Sequence, residues 1–395
     1  MIKKWTLLVI AAGLCAAAGP FAQDLQHVVS VVNIEIPVRV FKGDLFVDHL
    51  TLRDFEVLEN GVPQTIESLY LVKKAEIMRE DGKKGAPPQV SRQFVLFFEM
   101  SEYMPELDRA LDLFFERVFL PGDSLIVVTP RARYTMRPDA LSVSRAKLKD
   151  QLRAKLRQDI LAGNTEYLGA IRDLETAMAN DAVTLLERLD LYSTYLTKLE
   201  SLRRVDEASL LQFGEYLKTT PGQKTVYLFY QKEFIPKLNS KLLERTMTEN
   251  QSDMALVLKL MENFQFFTRE VRFDIDAIKR AYSDSSITIH FLYVTKTPAT
   301  DIAITSPNRT NLEMAEQSED VYSAFREIAG ATGGISDSSA NAAASFERAL
   351  GASENYYLIY YKPKDYKADG GFRELKVNVK GGDYRITHRA GYIAK

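Results

Sequence analysis

Residues 92–103 read RQFVLFFEMSEY, and this stretch decides how the rest of the chain is interpreted. The apolar run at 94–98 has the length and composition of a buried β-strand, and Glu99 and Ser101 follow it directly. In an open α/β sheet, ligands bind outside the carboxyl ends of the strands. An acid and a hydroxyl at the end of such a strand therefore predict a binding site there.

Four further apolar runs of the same kind indicate an α/β sheet. They are SLIVVTP at 124–130, KTVYLFY at 224–230, SITIHFLYV at 286–294 and YYLIYY at 356–361. Helical patterns fill the gaps, which is typical of a doubly wound, mostly parallel sheet covered on both faces. Residues 141–218 are almost wholly helical in pattern, with a short heptad seam at 185–199. This helical insertion is expected either to pack as a hairpin or to protrude as an arm that binds a partner.

Both ends of the chain are β-rich. Residues 23–72 alternate in strand-like fashion, residues 73–91 are charged and then rich in Gly and Pro, as in a linker, and residues 364–395 return to strand patterns. Two or three strands alone bury too little apolar surface to be stable. We therefore expect the two ends to pair into a small β-sandwich, with an α/β domain at 92–363 inserted between them.

The first residues have the pattern of a signal peptide, assigned to 1–22. Lys3 and Lys4 precede an apolar stretch at 5–18, and small residues follow it. A periplasmic or secreted location is expected, and a retained membrane anchor is the alternative. Cys15 is the single cysteine, so cleavage would leave a chain without disulfides or thiolate chemistry. The net charge of −2 gives no electrostatic reason to expect nucleic acid as a partner.

Several ordered segments resemble a known family. They are LTLRDFEVLENGVPQTI at 50–66, GATGG at 330–334, YYLIYY at 356–361, GFRELKV at 371–377 and RAGY at 389–392. Together they resemble the bacterial VWFA-related domain proteins, a von Willebrand factor A-like family common among exported proteins. The resemblance spans about residues 28–395. It implies the α/β fold described above and a protein-binding or adhesion module without catalysis.

In that family a divalent cation is held by Asp-x-Ser-x-Ser, by a later Thr and by an Asp after the fourth strand. The matching positions here are Glu99, Ser101, Tyr103, Thr165 and Gln231. Mg²⁺ demands near-octahedral oxygen geometry at short distances. Glu99 is one methylene longer than Asp, Tyr103 puts a ring where a hydroxyl is needed, and Gln231 lacks the negative charge. We expect these five positions to form a binding face without metal or other cofactor.

Two alternatives stay open. A metal-dependent adhesin of the same fold would bind Mg²⁺ at those positions. A hydrolase would need a catalytic group that the sequence does not offer, because the four histidines are scattered and the nucleophile-elbow and phosphate-loop motifs are missing. If the loop is extended, Glu102 is expected to point away from Glu99, which argues against a glycosidase pair. The expected partner is a protein, with membrane contact only if the first segment is retained.

Two local expectations complete the interpretation. Glu99 is expected to be solvated or bonded to backbone amides, with Ser101 capping the next helix. The aromatic run of Phe264, Phe266 and Phe267 is expected to be core or interface filler, with a contact patch as the alternative.

Overall fold

The computed structural model describes residues 32–394 apart from 44, 75, 84–91, 137–143, 203–206, 220–222, 250–252, 269–273, 284–286, 296–310 and 317. The expected signal peptide at 1–22 lies outside the described residues. Asn33–Lys395 forms one compact unit.

The described residues form eighteen strands, which we number in chain order. They are β1 Ile34–Lys42, β2 Leu45–Phe46, β3 Phe55–Glu59, β4 Val62–Gln64, β5 Ile66–Lys73, β6 Glu76–Gly82, β7 Arg92–Glu99, β8 Ser124–Val128, β9 Arg133–Met136, β10 Gln223–Gln231, β11 Phe234–Leu238, β12 Ile287–Val294, β13 Leu312–Glu316, β14 Ser336–Ser339, β15 Asn355–Tyr361, β16 Phe372–Val379, β17 Arg385–Thr387 and β18 Gly391–Ile393.

Nine α-helices lie between these strands in the described part of the chain. They are α1 Glu106–Leu113, α2 Arg145–Ala179, α3 Leu185–Ser201, α4 Glu207–Lys218, α5 Ser240–Glu249, α6 Met254–Gln265, α7 Ile275–Ser283, α8 Glu319–Ala331 and α9 Ala342–Ser353. A π-helical turn, Phe114–Val118, continues α1.

The strand that ends at the candidate site lies in a six-stranded sheet with the order β14-β12-β10-β7-β8-β9. Its first five strands are parallel, and β9 pairs antiparallel with β8. The four inner strands β7, β8, β10 and β12 are largely buried, and β12 is buried along its whole length. Alternate residues of β7 belong to two different hydrophobic clusters. Phe94 and Leu96 pack in one cluster, and Val95 packs in the other. The carboxyl ends of β7 and β10 are thereby fixed side by side.

The expected fold class, a doubly wound, mostly parallel sheet with a small β-sandwich, is wrong. Ten of the fourteen strand pairings in the described residues are antiparallel. The protein is a mixed α/β protein in which the chain ends build a second six-stranded sheet, with the path β17-β1-β15-β5-β6 and β2 beside β1. Two smaller antiparallel sheets, β18-β16-β3-β4 and β11-β13, accompany it.

The run at 356–361 explains why the expected fold class is wrong. It was expected to join the parallel sheet, but it forms β15 and pairs antiparallel with β1 on one side and β5 on the other. A strand buried on both faces has no alternation that would reveal the direction of its partners. Burial of β1 at seven of nine positions shows that this antiparallel sheet is core rather than a small appendage.

The expected linker at 73–91 also differs from the structure. Glu76–Gly82, within this segment, forms β6, which pairs with β5, and residues 84–91 lie outside the described part of the chain. The alternation of exposed and half-buried residues along β6 is that of an edge strand. Charged side chains made this strand resemble a linker in sequence.

Helices α2, α3 and α6 pack together and against β11 in a hydrophobic cluster of their own. Leu174, Leu196, Leu260 and Ile235 are among its buried members. Phe264, Phe266 and Phe267 pack on this cluster, so they fill the core of the helical segment. Among the described residues, no helix combines the length and the apolar character that crossing a bilayer requires.

Candidate functional site

A pocket of about 430 Å³ lies at the carboxyl ends of β7 and β10. It is lined by the loop that follows β7, by one face of α2, by the end of α3 and by the residues after β10. The lining residues are Glu99, Met100, Ser101, Glu102, Tyr103, Arg157, Ile160, Leu161, Asn164, Tyr167, Leu168, Leu202, Gln231, Glu233 and Phe234. This is the sheet edge at which the sequence predicts a site.

The Gln231 amide closes the loop after β7. Its Oε1 accepts hydrogen bonds from Ser101 N at 2.8 Å, Ser101 Oγ at 2.9 Å and Glu102 N at 2.9 Å. Its Nε2 donates to Glu102 Oε1 at 3.1 Å. Gln231 is 1% exposed, and stacking of Phe98 on Phe229, with ring centroids 4.8 Å apart, holds β7 and β10 together below it. The loop therefore has a fixed shape set by one neutral side chain.

Asn164 fixes the same loop from the helical side. Its Nδ2 lies 3.2 Å from Met100 O, 2.6 Å from Ser101 O and 2.8 Å from Ile160 O. Three carbonyl oxygens around one nitrogen define the orientation of the amide, because a flipped amide would place its oxygen against them. Asn164 is 1% exposed, and no donor among the described residues reaches its Oδ1. Asn164 therefore contributes to the pocket by holding the loop through its amide nitrogen.

Thr165, the neighbour that the family resemblance selected, does not belong to the site. It is exposed on α2, does not line the pocket, and its Oγ1 donates to Leu161 O of its own helix at 3.2 Å. The physical reason is helical periodicity: consecutive residues differ by about 100° around the axis, and Asn164 takes the inward position.

Tyr103 lies at the rim of the pocket, where it is bound to α1 and α2. Its hydroxyl donates to Asp108, and the Arg157 guanidinium lies 4.7 Å from the centre of its ring. Arg157 Nη2 also donates to Asp108 Oδ2 at 2.8 Å. Burial, followed by the hydrogen bond to Asp108, raises the pKa of Tyr103 to about 12. The phenol is therefore a neutral, positioned part of the rim at ordinary pH.

Of the two environments expected for Glu99, solvation is wrong because only 8% of it is exposed, and bonding to backbone amides stays a prediction. The expected cap is also wrong. Ser101 does not cap the next helix: α1 begins after Pro105, which makes no side-chain cap. Glu102 lines the same pocket as Glu99 and accepts the bond from Gln231, so the condition under which it was expected to point away from Glu99 is not met. The loop is bent by the Gln231 contacts, whereas the expectation assumed an extended chain.

The residues at the expected metal positions do not fit a divalent cation. Ser101 Oγ donates its hydrogen to Gln231, Tyr103 donates to Asp108, and Thr165 faces its own helix. Mg²⁺ needs several oxygen ligands in near-octahedral geometry. In the described part of the chain, no three or more His, Cys, Asp or Glu side chains lie close enough to hold a metal ion.

The rest of the pocket wall is mainly apolar. Ile160, Leu168, Leu202 and Phe234 contribute to it, and Leu161 stands at the mouth with 71% of its surface exposed. The volume is in the range of pockets that hold a small molecule or a large side chain. Among the described residues, no histidine lines the pocket: His49 follows β2, His290 is fully buried in β12, and His388 lies after β17. The lining also includes Glu99, Glu102, Arg157 and Glu233, so the chemistry offered is hydrogen bonding, charge and apolar contact.

The sequence pattern of α2 contains a signal that could identify Asn164 as a site residue. Leu148, Leu152, Leu156 and Ile160 step by four along α2, and Asn164 is the next residue of that stripe. A polar residue at a position where the pattern places core is a candidate for a buried hydrogen-bonding role. Arg157 has no comparable signal, since it lies on the flank of the stripe.

No family model and no curated protein matches this chain. The resemblance to the VWFA-related family therefore stays a prediction. The function has to be inferred from the pocket itself.

Proposed function

We propose that the protein is a non-catalytic binding module whose pocket at the ends of β7 and β10 takes an apolar side chain of a protein partner. The observation that carries this proposal is the combination of a rigid polar floor, built by Gln231 and Asn164, with an apolar wall that opens at Leu161. Binding hot spots have this composition, with a fully desolvated apolar anchor beside a few positioned polar groups.

The proposed binding needs no metal ion. Two of the positions that would have to ligate a cation, Ser101 and Gln231, are engaged with each other through the Gln231 amide oxygen, which accepts three hydrogen bonds. A cation would have to break these bonds and replace them with oxygen ligands that the neighbouring side chains do not supply. Export to the periplasm or the medium, as residues 1–22 predict, is part of this proposal.

Catalysis is not part of the proposal because the pocket lacks an activated nucleophile. The Ser101 hydroxyl donates to an amide oxygen, which cannot take up its proton, rather than to a basic side chain. The Tyr103 hydroxyl is held protonated by burial and by Asp108. Both hydroxyl groups thus support binding and orientation.

The test is selection of binders from a random-peptide library displayed on phage, with the purified protein immobilised. We expect the selected peptides to share a large apolar residue. A fluorescently labelled selected peptide should then bind the Leu161→Glu variant at least about tenfold more weakly, because a charge would stand at the mouth of the pocket. Affinity should be the same with millimolar Mg²⁺ and with EDTA.

The matched control is Leu258→Glu. Leu258 is 60% exposed on α6 and does not line the pocket, so this variant should bind the peptide like the wild type. Equal binding by Leu161→Glu would contradict the proposal. Binding that requires Mg²⁺ would instead favour the metal-dependent adhesin.

A further inference from the structure

A second, smaller cavity lies at the opposite end of the parallel strands from the pocket. Its volume is about 40 Å³, and its walls come from β1, β15 and the amino ends of β7, β10 and β12. Most of the polar groups at its wall can donate hydrogen bonds. They are the side chains of Arg39, Arg92, Gln223, Thr225, Thr288, Ser353 and Tyr356. Two of them are already engaged, since Ser353 Oγ donates to Leu350 O at 3.0 Å and Gln223 Nε2 donates to Glu35.

Arg39 on β1 is the unusual member of this set. It is only 5% exposed, and its Nη1 donates to Gly333 O at 3.2 Å. Its guanidinium lies 5.8 Å from the centre of the Tyr356 ring. Among the described residues, no carboxylate forms an ion pair with Arg39 and no acceptor reaches its Nε. Burial lowers the pKa of Arg39 from its ordinary value, yet arginine stays charged in proteins.

A buried charge of this kind costs several kcal/mol unless an opposite charge compensates it. The other charged groups at the cavity do not do so. Arg92 is already paired with Asp123, with Nε–Oδ1 at 2.9 Å and Nη2–Oδ2 at 2.5 Å. Glu354 lines the cavity, but in the described part of the chain it forms an ion pair with neither arginine.

His290 adds a second unsatisfied donor on the same side of the sheet. It lies two residues after Thr288 on β12, so both side chains are on one face. Its Nδ1 accepts a hydrogen bond from Ile335 N at 3.3 Å, which places the ring hydrogen on Nε2. No described acceptor reaches that Nε2, and His290 is fully buried.

We propose that this cavity binds a small monovalent inorganic anion, chloride, held by the Arg39 guanidinium and the neighbouring hydroxyl groups. One water needs about 10–15 Å³ of such space, so the cavity has room for a monatomic ion with a water. The ion joins β1 and β15 to the amino ends of the parallel strands. It is thus a structural ligand that links the two large sheets.

The first test compares thermal unfolding of the full-length protein in sodium chloride and in sodium gluconate at equal ionic strength. We expect the wild type to melt roughly 2 °C or more higher in chloride, because a ligand that binds only the folded state stabilises it. Arg39→Gln should show no difference between the two salts, and Arg39→Lys should keep part of it. Arg245→Gln, at an exposed arginine on α5, is the control and should respond like the wild type.

The second test does not depend on a variant that folds. Crystals of the wild type grown in sodium bromide should show an anomalous scattering peak against Arg39 and Thr288. Water alone at this place, or equal melting temperatures of the wild type in both salts, would overturn the proposal.

Discussion

Gln231 Oε1 lies 2.8 Å from the Ser101 amide nitrogen and 2.9 Å from Ser101 Oγ, although the two residues are 130 positions apart in the chain. One neutral amide at the end of β10 therefore shapes the loop that follows β7. A carboxylate at this place would attract a cation, whereas the amide satisfies the donors by itself. This difference separates a binding site that needs a metal from one that does not.

Replacing Gln231 with alanine should destabilise the protein by about 2–4 kcal/mol. The substitution leaves the amides of Ser101 and Glu102 without their acceptor in a buried place and creates a small cavity. Urea denaturation followed by circular dichroism measures the loss. Gln158→Ala, on the exposed side of α2, should change stability by less than about 0.5 kcal/mol. Equal effects of the two substitutions would show that the loop does not depend on Gln231.

Asn164 and Thr165 form a matched pair for a second prediction. Asn164→Ala should cost about 2–3 kcal/mol, because two loop carbonyls, Met100 O and Ser101 O, lose a buried donor. Thr165→Ala should stay within about 0.5 kcal/mol, since Thr165 is exposed and bonds only to its own helix. The same denaturation experiment applies to both variants. A larger effect at Thr165 would restore the assignment made from the family resemblance.

The candidate site could be predicted in part from the sequence. The rule that parallel strands carry sites at their carboxyl ends leads to Glu99, Ser101 and Gln231, all of which line one pocket. It fails at position 165, because a motif transferred along the sequence does not show which face of a long helix meets the loop. The shape of the loop was also out of reach, since it depends on a contact between residues 130 positions apart.

The fold was predictable only where local pattern decides it. The runs that form β7, β8, β10 and β12 were identifiable as buried strands from composition alone. Pairing between the two ends of the chain is non-local, and nothing in the periodicity of β15 tells that β1 and β5 run antiparallel to it. For this reason the extent of the antiparallel sheets was underestimated.

The buried His290 predicts that the folded protein becomes less stable as the pH decreases. Burial, and then the nearby charge of Arg39, lowers the pKa of His290 to about 3 in the folded protein. An unfolded histidine has a pKa of about 6.5, so between these values the unfolded chain binds a proton that the folded one does not. The contribution of neutral His290 to the free energy of unfolding is full above pH 6.5 and is lost as the pH falls. The loss between about pH 7 and about pH 5.5 is about 1 kcal/mol.

The measurement compares the free energy of unfolding at those two pH values for the wild type and for His290→Gln. The glutamine keeps an acceptor for Ile335 N but does not titrate. The variant should therefore lose about 1 kcal/mol less than the wild type over this interval, while the contributions of other groups cancel. If both proteins showed the same pH dependence, His290 would have to take up a proton in the folded state as readily as it does in the unfolded chain.

Hydrogen bonds to Glu59 on β3 predict how much the strands from the two ends of the chain stabilise each other. Its Oε2 accepts hydrogen bonds from Tyr361 OH at 2.5 Å and from Tyr392 OH at 3.0 Å, and only 8% of Glu59 is exposed. Tyr361→Phe and Tyr392→Phe should each cost about 1–2 kcal/mol, because a buried carboxylate loses a donor. The double variant should cost more than the sum of the two single losses, since neither phenol then stabilises Glu59.

Tyr384→Phe, at a half-buried tyrosine that does not contact Glu59, is the control for urea denaturation. Purely additive losses would show that the two phenols act independently, and the carboxylate would then not be the link between β3 and the C-terminal strands.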